Sequence, residues 1–258
     1  MTVLYQTEGI VLSQTDLAEH DRVISVFTRD EGMVRAVVKG ARKPLSKLSA
    51  VTQPYSRATF QLYRGRSLDR VTQVALLTSH PGIMLDYKKM VYAGFLAELV
   101  SQILPERESN EAVFDFYGNV LHQLEGRDDP WPVAAGGALG VLARAGFAPS
   151  FGACAVCGAA PAAPVYFSAE SGGLVCSKCR GLSSFPEFLR EISLGAARTL
   201  DLLSKPVGDG SGPGVNARGS VREEATGALL EFIVETLGRG LRSASLVERI
   251  EVEPRHKE

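Results

Sequence analysis

Four cysteines fall in one window of this chain: Cys154-Ala-Val-Cys157-Gly158 and, after a gap of eighteen residues, Cys176-Ser-Lys-Cys179. No other cysteine occurs in the 258 residues. Two C-x2-C pairs at this separation suit tetrahedral zinc, because each tight turn offers two thiolates that face two more across a short hairpin. Gly158, directly after the first pair, permits the left-handed backbone that turns amides toward sulfur. Between the pairs, Val165-Tyr166-Phe167 and Gly173-Leu174-Val175 predict two short strands around a Ser/Gly-rich turn. Four thiolates on one Zn²⁺ leave a net charge of about −2, which Lys178 and Arg180 stand close enough in sequence to offset. With all four positions filled by sulfur, such a zinc is structural. The alternatives are two disulfides, which belong to an oxidising compartment, or buried free thiols. The N-terminus, Met1-Thr-Val-Leu-Tyr-Gln-Thr-Glu8, has no basic-then-apolar signal segment.

The second group with chemical character is cationic. Up to His80 the chain carries eleven Lys and Arg against seven Asp and Glu, a net charge of about +4. The whole chain carries −1, so the remainder is acidic by about −5. A basic module precedes an acidic body. Strand-like segments run from Leu4 to Gln14, Arg22 to Thr28, Met33 to Lys39, Tyr55 to Tyr63 and Arg70 to Thr78. Arg29-Asp-Glu-Gly32 reads as a hairpin turn with glycine where φ is positive. Five short strands without a helical period predict a small barrel or sandwich. If Val34, Ala36 and Val38 point inward, Arg35 and Lys39 share the outer face; if Ala58, Phe60 and Leu62 point inward, Tyr55, Arg57 and Tyr63 face out. Cations track phosphates and exposed rings stack bases, so this face suits single-stranded nucleic acid; the plain alternative is a solvated basic surface. Lys39-Gly-Ala-Arg42-Lys43-Pro-Leu-Ser-Lys47 reads as a flexible basic rim, and Arg64 and Arg66 add a second one.

From Pro81 the apolar period becomes helical, with predicted helices from Leu85 to Leu104, Glu111 to Leu124 and Trp131 to Ala145. Pro186 suits a first helical turn, with the helix continuing from Phe188 to Leu203. Ser220-Val-Arg-Glu223 has the form of a capping box opening a helix that closes at Gly238, and a short helix follows through Ile250. The segment 205–220 is rich in Gly, Pro and Ser and reads as a loop, and the tail 253–258 as frayed polar chain. No apolar run reaches the roughly 18 to 20 residues that a membrane span needs.

A catalytic set is missing. No nucleophile elbow, Walker loop or H-E-x-x-H stands in the chain. His256-Lys-Glu258 is an H-x-E fragment, but it follows the cysteines instead of preceding them as in zinc deaminases. His20, His80, His122 and His256 are widely scattered. The chain therefore reads as a non-enzyme, with a zinc-dependent hydrolase or deaminase and an RNA-binding zinc-ribbon adaptor of transcription or translation as the competing classes.

Several phrases resemble one family. They are Glu8-Gly-Ile-Val-Leu12, Glu19-His-Asp-Arg22-Val, Val26-Phe-Thr-Arg-Asp-Glu-Gly32, Val38-Lys-Gly-Ala-Arg42 and Leu237-Gly-Arg-Gly-Leu-Arg-Ser243. Together with the order of basic barrel, helical body and inserted four-cysteine segment, they resemble the RecO family of bacterial DNA repair proteins and recombination mediators. The cysteine spacing is similar to the zinc-containing branch of that family. The resemblance implies an α+β multi-domain chain. Residues 1–80 would form a five-stranded OB-fold barrel that binds nucleic acid. Residues 81–258 would form an α-helical domain with a zinc-binding hairpin inserted at about 150–182. It implies binding of single- and double-stranded DNA, annealing of complementary strands, and action with RecR to help load RecA onto strands coated by single-stranded-DNA-binding protein (SSB). A bacterial cytoplasmic location at the nucleoid follows. Carried onto this sequence, the DNA-binding residues are Arg35, Lys39, Arg42 and Arg57, with Lys43, Lys47, Arg64 and Arg66 at the rim. The metal ligands are Cys154, Cys157, Cys176 and Cys179, holding one structural zinc. Arg239 and Arg242 are basic candidates for an acidic partner peptide. The Gly/Pro-rich stretch 207–219 is longer than the family pattern.

Overall fold

Alternating apolar residues along five short segments bury one face of each strand, and the computed structural model closes those faces on one another. It describes residues 3–43, 46–182, 189–205 and 215–252. The strands β1 (Leu4–Leu17), β2 (Asp21–Thr28), β3 (Gly32–Val38), β4 (Arg57–Tyr63) and β5 (Asp69–Thr78) form a closed barrel in the order β1-β2-β3-β5-β4. Its neighbours are antiparallel except β3 and β5, which pair in parallel at Ala36↔Asp69 and Val37↔Arg70. This is an OB-like barrel. Val11, Ile24, Val26, Val34, Ala36, Val38, Ala58, Phe60 and Leu62 fill its interior, as the alternation requires. Gly32 turns the β2–β3 hairpin at φ +62, and a Cβ there would lie 2.2 Å from the Glu108 carbonyl oxygen. Glycine is demanded there by both the backbone and the neighbour.

Two features of this region depart from the sequence reading. Helix α1 (Lys47–Val51), for which no element was expected, starts at the last residue of the basic rim, and its Leu48 and Val51 pack against the barrel core. Residues 44 and 45 of that rim lie outside the described residues. Tyr55, expected to face outward on a strand, is 6% exposed and sits at φ +69 in the turn before β4. Strand alternation cannot be extended through a residue in the left-handed region.

Helices α2 (Pro81–Leu85), α3 (Tyr87–Ile103) and α4 (Glu111–Gly126) belong to the same compact unit as the barrel, which spans Met1–Arg127. The change from strand to helix comes at residue 80, whereas compact packing divides the chain after Arg127. The helix expected over 85–104 is broken at Asp86, whose carboxylate accepts from the Lys88 and Lys89 amides at 2.9 and 3.1 Å and so caps α3. At the barrel end, the carboxylate of fully buried Asp69 accepts from Tyr5 Oη, from Arg107 at 2.7 Å and from the Gly65 amide at 3.0 Å. Burial pushes this carboxyl up, but the three donors outweigh it and hold its pKa below the usual carboxylate value. Burial, and then the hydrogen bond to Asp69, push Tyr5 up to about 12.

The second unit spans Asp128–Glu258. It holds α5 (Trp131–Arg144), β6 (Ser150–Cys154), β7 (Val165–Ser168), β8 (Gly173–Cys176), α6 (Ser177–Arg180), β9 (Arg190–Ile192), α7 (Leu194–Ser204), α8 (Ser220–Leu237) and α9 (Ala244–Val252). The two strands expected between the cysteine pairs form, in antiparallel register Tyr166↔Val175. Two unforeseen strands extend them into a sheet of order β6-β8-β7-β9. β9 occupies part of the helix expected over 188–203: pairing with β7 at Tyr166↔Glu191 overrides the local periodicity, and Ser193 caps α7 by accepting from Ala196 N at 3.1 Å. Pro186 and Phe188 lie outside the described residues, as do 206–214 of the Gly/Pro-rich stretch and the tail 253–258. Ser220 is the first helical residue of α8, and Gly219 at φ +54 is its cap without a side-chain bond, so no capping box forms. The α8 helix does close at Gly238, in the left-handed conformation.

Arg222 ties this unit together. Its guanidinium donates to both Asp129 oxygens at 3.0 and 3.1 Å and to Glu251 at 3.1 Å, and lies 4.8 Å over the buried Trp131 ring. It thereby joins the start of α5, the first turn of α8 and α9. Among the described residues no helix is long and apolar enough to cross a membrane.

Two predictions follow from these buried charges. Arg222→Ala leaves Glu251 and Asp129 without their cation and is expected to lower unfolding stability by about 3 kcal/mol, read by urea denaturation. Asp69 has a depressed folded pKa, so its stabilisation is present above the unfolded carboxylate value of about 3.9 and is lost as pH falls through the folded value. Stability measured from pH 6 down to pH 2 is therefore expected to fall less steeply in Asp69→Asn than in the wild type; equal acid slopes would refute the assignment.

Candidate metal centre and nucleic-acid face

The cysteine group is assembled by the ends of β6 and β8, the turn after β6 and the short helix α6. The four Sγ atoms of Cys154, Cys157, Cys176 and Cys179 lie within 4.8 Å of one another. Cys157 Sγ and Cys176 Sγ are 3.8 Å apart, and all four cysteines are free of disulfides. A tetrahedral ion with metal–sulfur bonds of about 2.3 Å places its ligands about 3.8 Å apart, so the thiols fit such an ion and are too far apart for the S–S bond of the disulfide alternative. Gly158 takes φ +73, as its place after the first pair required. Burial opposes a thiolate at Cys154, but amides of Cys176, Cys157 and Val156 point at its sulfur and bring its pKa down to about 6. Cys179, hydrogen-bonded to Cys157 and then buried, is pushed up to about 12. Four sulfurs this close cannot all ionise without a cation among them. Arg180 lies 4.2 Å over the Tyr166 ring, which fixes its charge beside the site. Cys154 and Cys179 are buried, while Cys157 is exposed.

The barrel's outer face is divided in two. Part of it packs against α4. Phe27 meets Phe114 edge-on at 5.5 Å between ring centroids, and the guanidinium groups of Arg29 and Arg57 lie 4.9 and 5.3 Å over the same Phe114 ring. Glu8 pairs with both arginines, and Arg29 reaches Asp115 at 3.0 Å. Arg57 therefore faces outward, as its strand parity predicted, but is half-buried against a helix. Buried Ile10 and Gly118 complete this contact.

Another part carries exposed cations. Arg35 is exposed across from Ser25, and Lys39 is exposed just past the end of β3. Lys43 and Arg66 are exposed as well, and none of these four has an ion-pair partner among the described residues. Arg42 is exposed but donates to the Ala18 carbonyl at 3.0 Å and pairs with Asp16 at 3.3 Å. Arg64 pairs with Glu31 and lies 5.1 Å over the Tyr5 ring. Lys47 begins α1, and its side chain is outside the described residues. One cation escaped the sequence reading. Arg70 is exposed on β5, next to Val37 of β3 and to Tyr63 of β4 in register. The inward Val71 carried the signal, because alternation places Arg70 outward. Arg35 and Lys39 flank Val37 along β3, so Arg35, Lys39 and Arg70 surround one point of the sheet. In the second unit Arg239 and Arg242 are exposed. His80, in contrast, is buried and shares a 2.9 Å hydrogen bond with Glu125, which accounts for it structurally.

Family models match nearly the whole chain. Residues 1–80 match the model described as Recombination protein O N terminal, and residues 84–245 the model described as Recombination protein O C terminal. Similar curated proteins include the DNA repair protein RecO of Symbiobacterium thermophilum, 33% identical over 254 residues that cover 96% of this chain and 98% of the relative. The DNA repair protein RecO of Thermobifida fusca is 35% identical over 250 residues, covering 95% and 99%. That of a Nocardioides species is 34% identical over 253 residues, covering 96% and 100%.

Loss of one thiol from the cysteine group is expected to be felt as metal loss and as lower stability of the unit that holds it. Cys157→Ser should bind less metal than the wild type by atomic absorption and melt at a lower temperature; unchanged metal content and melting would show that the group is not a metal site.

Proposed function

The chain belongs to the RecO family, and on that premise we propose that it is a DNA repair and recombination mediator working by strand binding and annealing. The family carries a role in DNA repair and recombination. The finer reading is that the open face of the barrel binds single- and double-stranded DNA and anneals complementary strands. With RecR, the protein then helps load RecA onto SSB-coated single strands, in the bacterial cytoplasm. The observation that supports this reading most is the exposed group Arg35, Lys39 and Arg70 around Val37, whose charges are not taken up by carboxylates of the described residues. Lys43 and Arg66 extend it, and Arg42 joins once Asp16 releases it. Arg57 and Arg64, by contrast, serve Glu8 and Glu31 first.

Annealing requires no bond chemistry. A basic surface lowers the repulsion between two phosphate backbones and raises their local concentration. Contacts to backbone carry no sequence information, so recognition is of strand structure. Zinc held by Cys154, Cys157, Cys176 and Cys179 supplies a saturated staple for the second unit and no open position for catalysis.

The test is annealing of SSB-coated complementary strands across a salt series. Salt-sensitive acceleration with chemically unaltered strands is expected. Each of Arg35→Ala and Arg70→Ala should weaken single-strand binding and make the slope of log K against log[salt] less negative by about 0.7, one phosphate contact each. Arg57→Ala should instead lower stability and leave that slope unchanged. Absence of DNA binding by the wild type even at low salt would discard the reading.

A further inference from the structure

The barrel segment contains five aromatic rings, Tyr5, Phe27, Tyr55, Phe60 and Tyr63. Four have assigned work. Phe60 fills the barrel core. Phe27 is sealed under Phe114 of α4. Tyr55 is buried in the turn before β4. Tyr5 is half-buried, hydrogen-bonded to Asp69 and covered on one face by Arg64.

Tyr63 is left. It is 41% exposed on the outer face of β4, opposite inward Leu62, and no ring or cation of the described residues covers it. In the strand register it lies between Leu4 on β1, itself exposed, and Arg70 on β5, with Val37 next beyond. A row across the sheet therefore reads Leu4, Tyr63, Arg70, Val37, with Arg35 and Lys39 on either side of its end. An apolar edge, a ring and a cation in that order match the parts of one nucleotide: base on the ring, phosphate on the arginine.

We infer that Tyr63 is a base-stacking residue and the one by which the open face distinguishes single-stranded from duplex nucleic acid. The inference rests on the DNA-binding reading and adds the specificity to it. Arg35, Lys39 and Arg70 address phosphates, which both strand forms present. A ring can be stacked only by a base that has left its own stack, which a single strand offers and an intact duplex does not. One platform also limits the cost to annealing. A strand held at a single stacked base keeps its neighbouring bases free to pair, whereas a groove with several rings would sequester them.

The experiment compares the wild type, Tyr63→Ala, Tyr63→Phe and Tyr63→Trp on a single-stranded oligonucleotide and on a blunt duplex of the same sequence at fixed salt. Tyr63→Ala is expected to lose about tenfold in single-strand affinity, one stacking contact. Duplex affinity should be unchanged, and so should the salt slope for the single strand. Tyr63→Phe should retain wild-type affinity for both. Tyr63→Trp should gain an emission, above that of buried Trp131, that the single strand quenches and the duplex does not. Equal losses on both forms in Tyr63→Ala, or no loss on the single strand, would overturn the inference while leaving DNA binding intact. A wild type that binds neither form would instead overturn the DNA-binding reading and this inference with it. Melting curves of each variant establish that the barrel is folded.

Discussion

Phe114 of α4, laid against Phe27 and under the guanidinium groups of Arg29 and Arg57, decides what the first unit can offer to a ligand. A five-stranded barrel has an inner face that must be apolar and an outer face free to be anything. Here the outer face is partly claimed by a helix from beyond the barrel segment. The claim is apolar at its centre and ionic at its rim, where Glu8 and Asp115 neutralise the two arginines. Half-buried cations beside an aromatic ring and two carboxylates are poor phosphate receptors, since leaving those partners costs what a new contact would return. What remains basic and available is the part that α4 does not reach.

That division explains how much could be read from the chain alone. Alternation correctly placed Arg35 and Tyr63 on the outside and Val34, Phe60 and Leu62 inside, because inward and outward are local properties of a strand. The cysteine group was equally legible: ligand spacing, the hairpin between the pairs and the glycine after the first pair all lie within thirty residues, so they state their geometry locally. Arg57 illustrates the limit. Its outward direction was readable, but what stands outside it comes from α4, more than fifty residues along, and no periodicity encodes that. Tyr55 failed for a smaller reason, a single residue with positive φ that interrupts the pleat.

The other departures share one cause. β9 forms where helical spacing was present because β7 has an open edge with unpaired backbone groups, and pairing satisfies them. α1, too short to show an apolar period, forms where Leu48 and Val51 pack against the barrel core. At Ser220 the local capping signal is overruled by Gly219, which brings the chain into α8 one residue early, and Glu224, the neighbour of the expected box residue Glu223, accepts from the Ser193 amide at 2.7 Å. In each case local preference is worth a few tenths of a kcal/mol to about one, and a buried contact or a satisfied backbone group outweighs it.

The two sites differ in the kind of rigidity they need. The cysteine group lies at the ends of short paired strands, where four sulfurs are held at a spacing that a single ion would fill, and its surroundings are amides and one arginine fixed on Tyr166. An ion held by all four sulfurs would keep no open coordination position. The open barrel face is the reverse: its backbone is fixed by the register of four strands, while its side chains are long, solvated and, in the main, unpaired. For the annealing proposed above, this face would have to hold each strand firmly enough to collect it and loosely enough to surrender its bases. Unpaired, solvated cations beside one exposed ring would meet that condition. On that proposal, the same face with Arg57 and Phe27 also displayed would bind one strand more tightly and present it less well. If the proposed annealing holds, α4 would contribute to it by what it withholds, the Phe27 ring and the charges of Arg29 and Arg57.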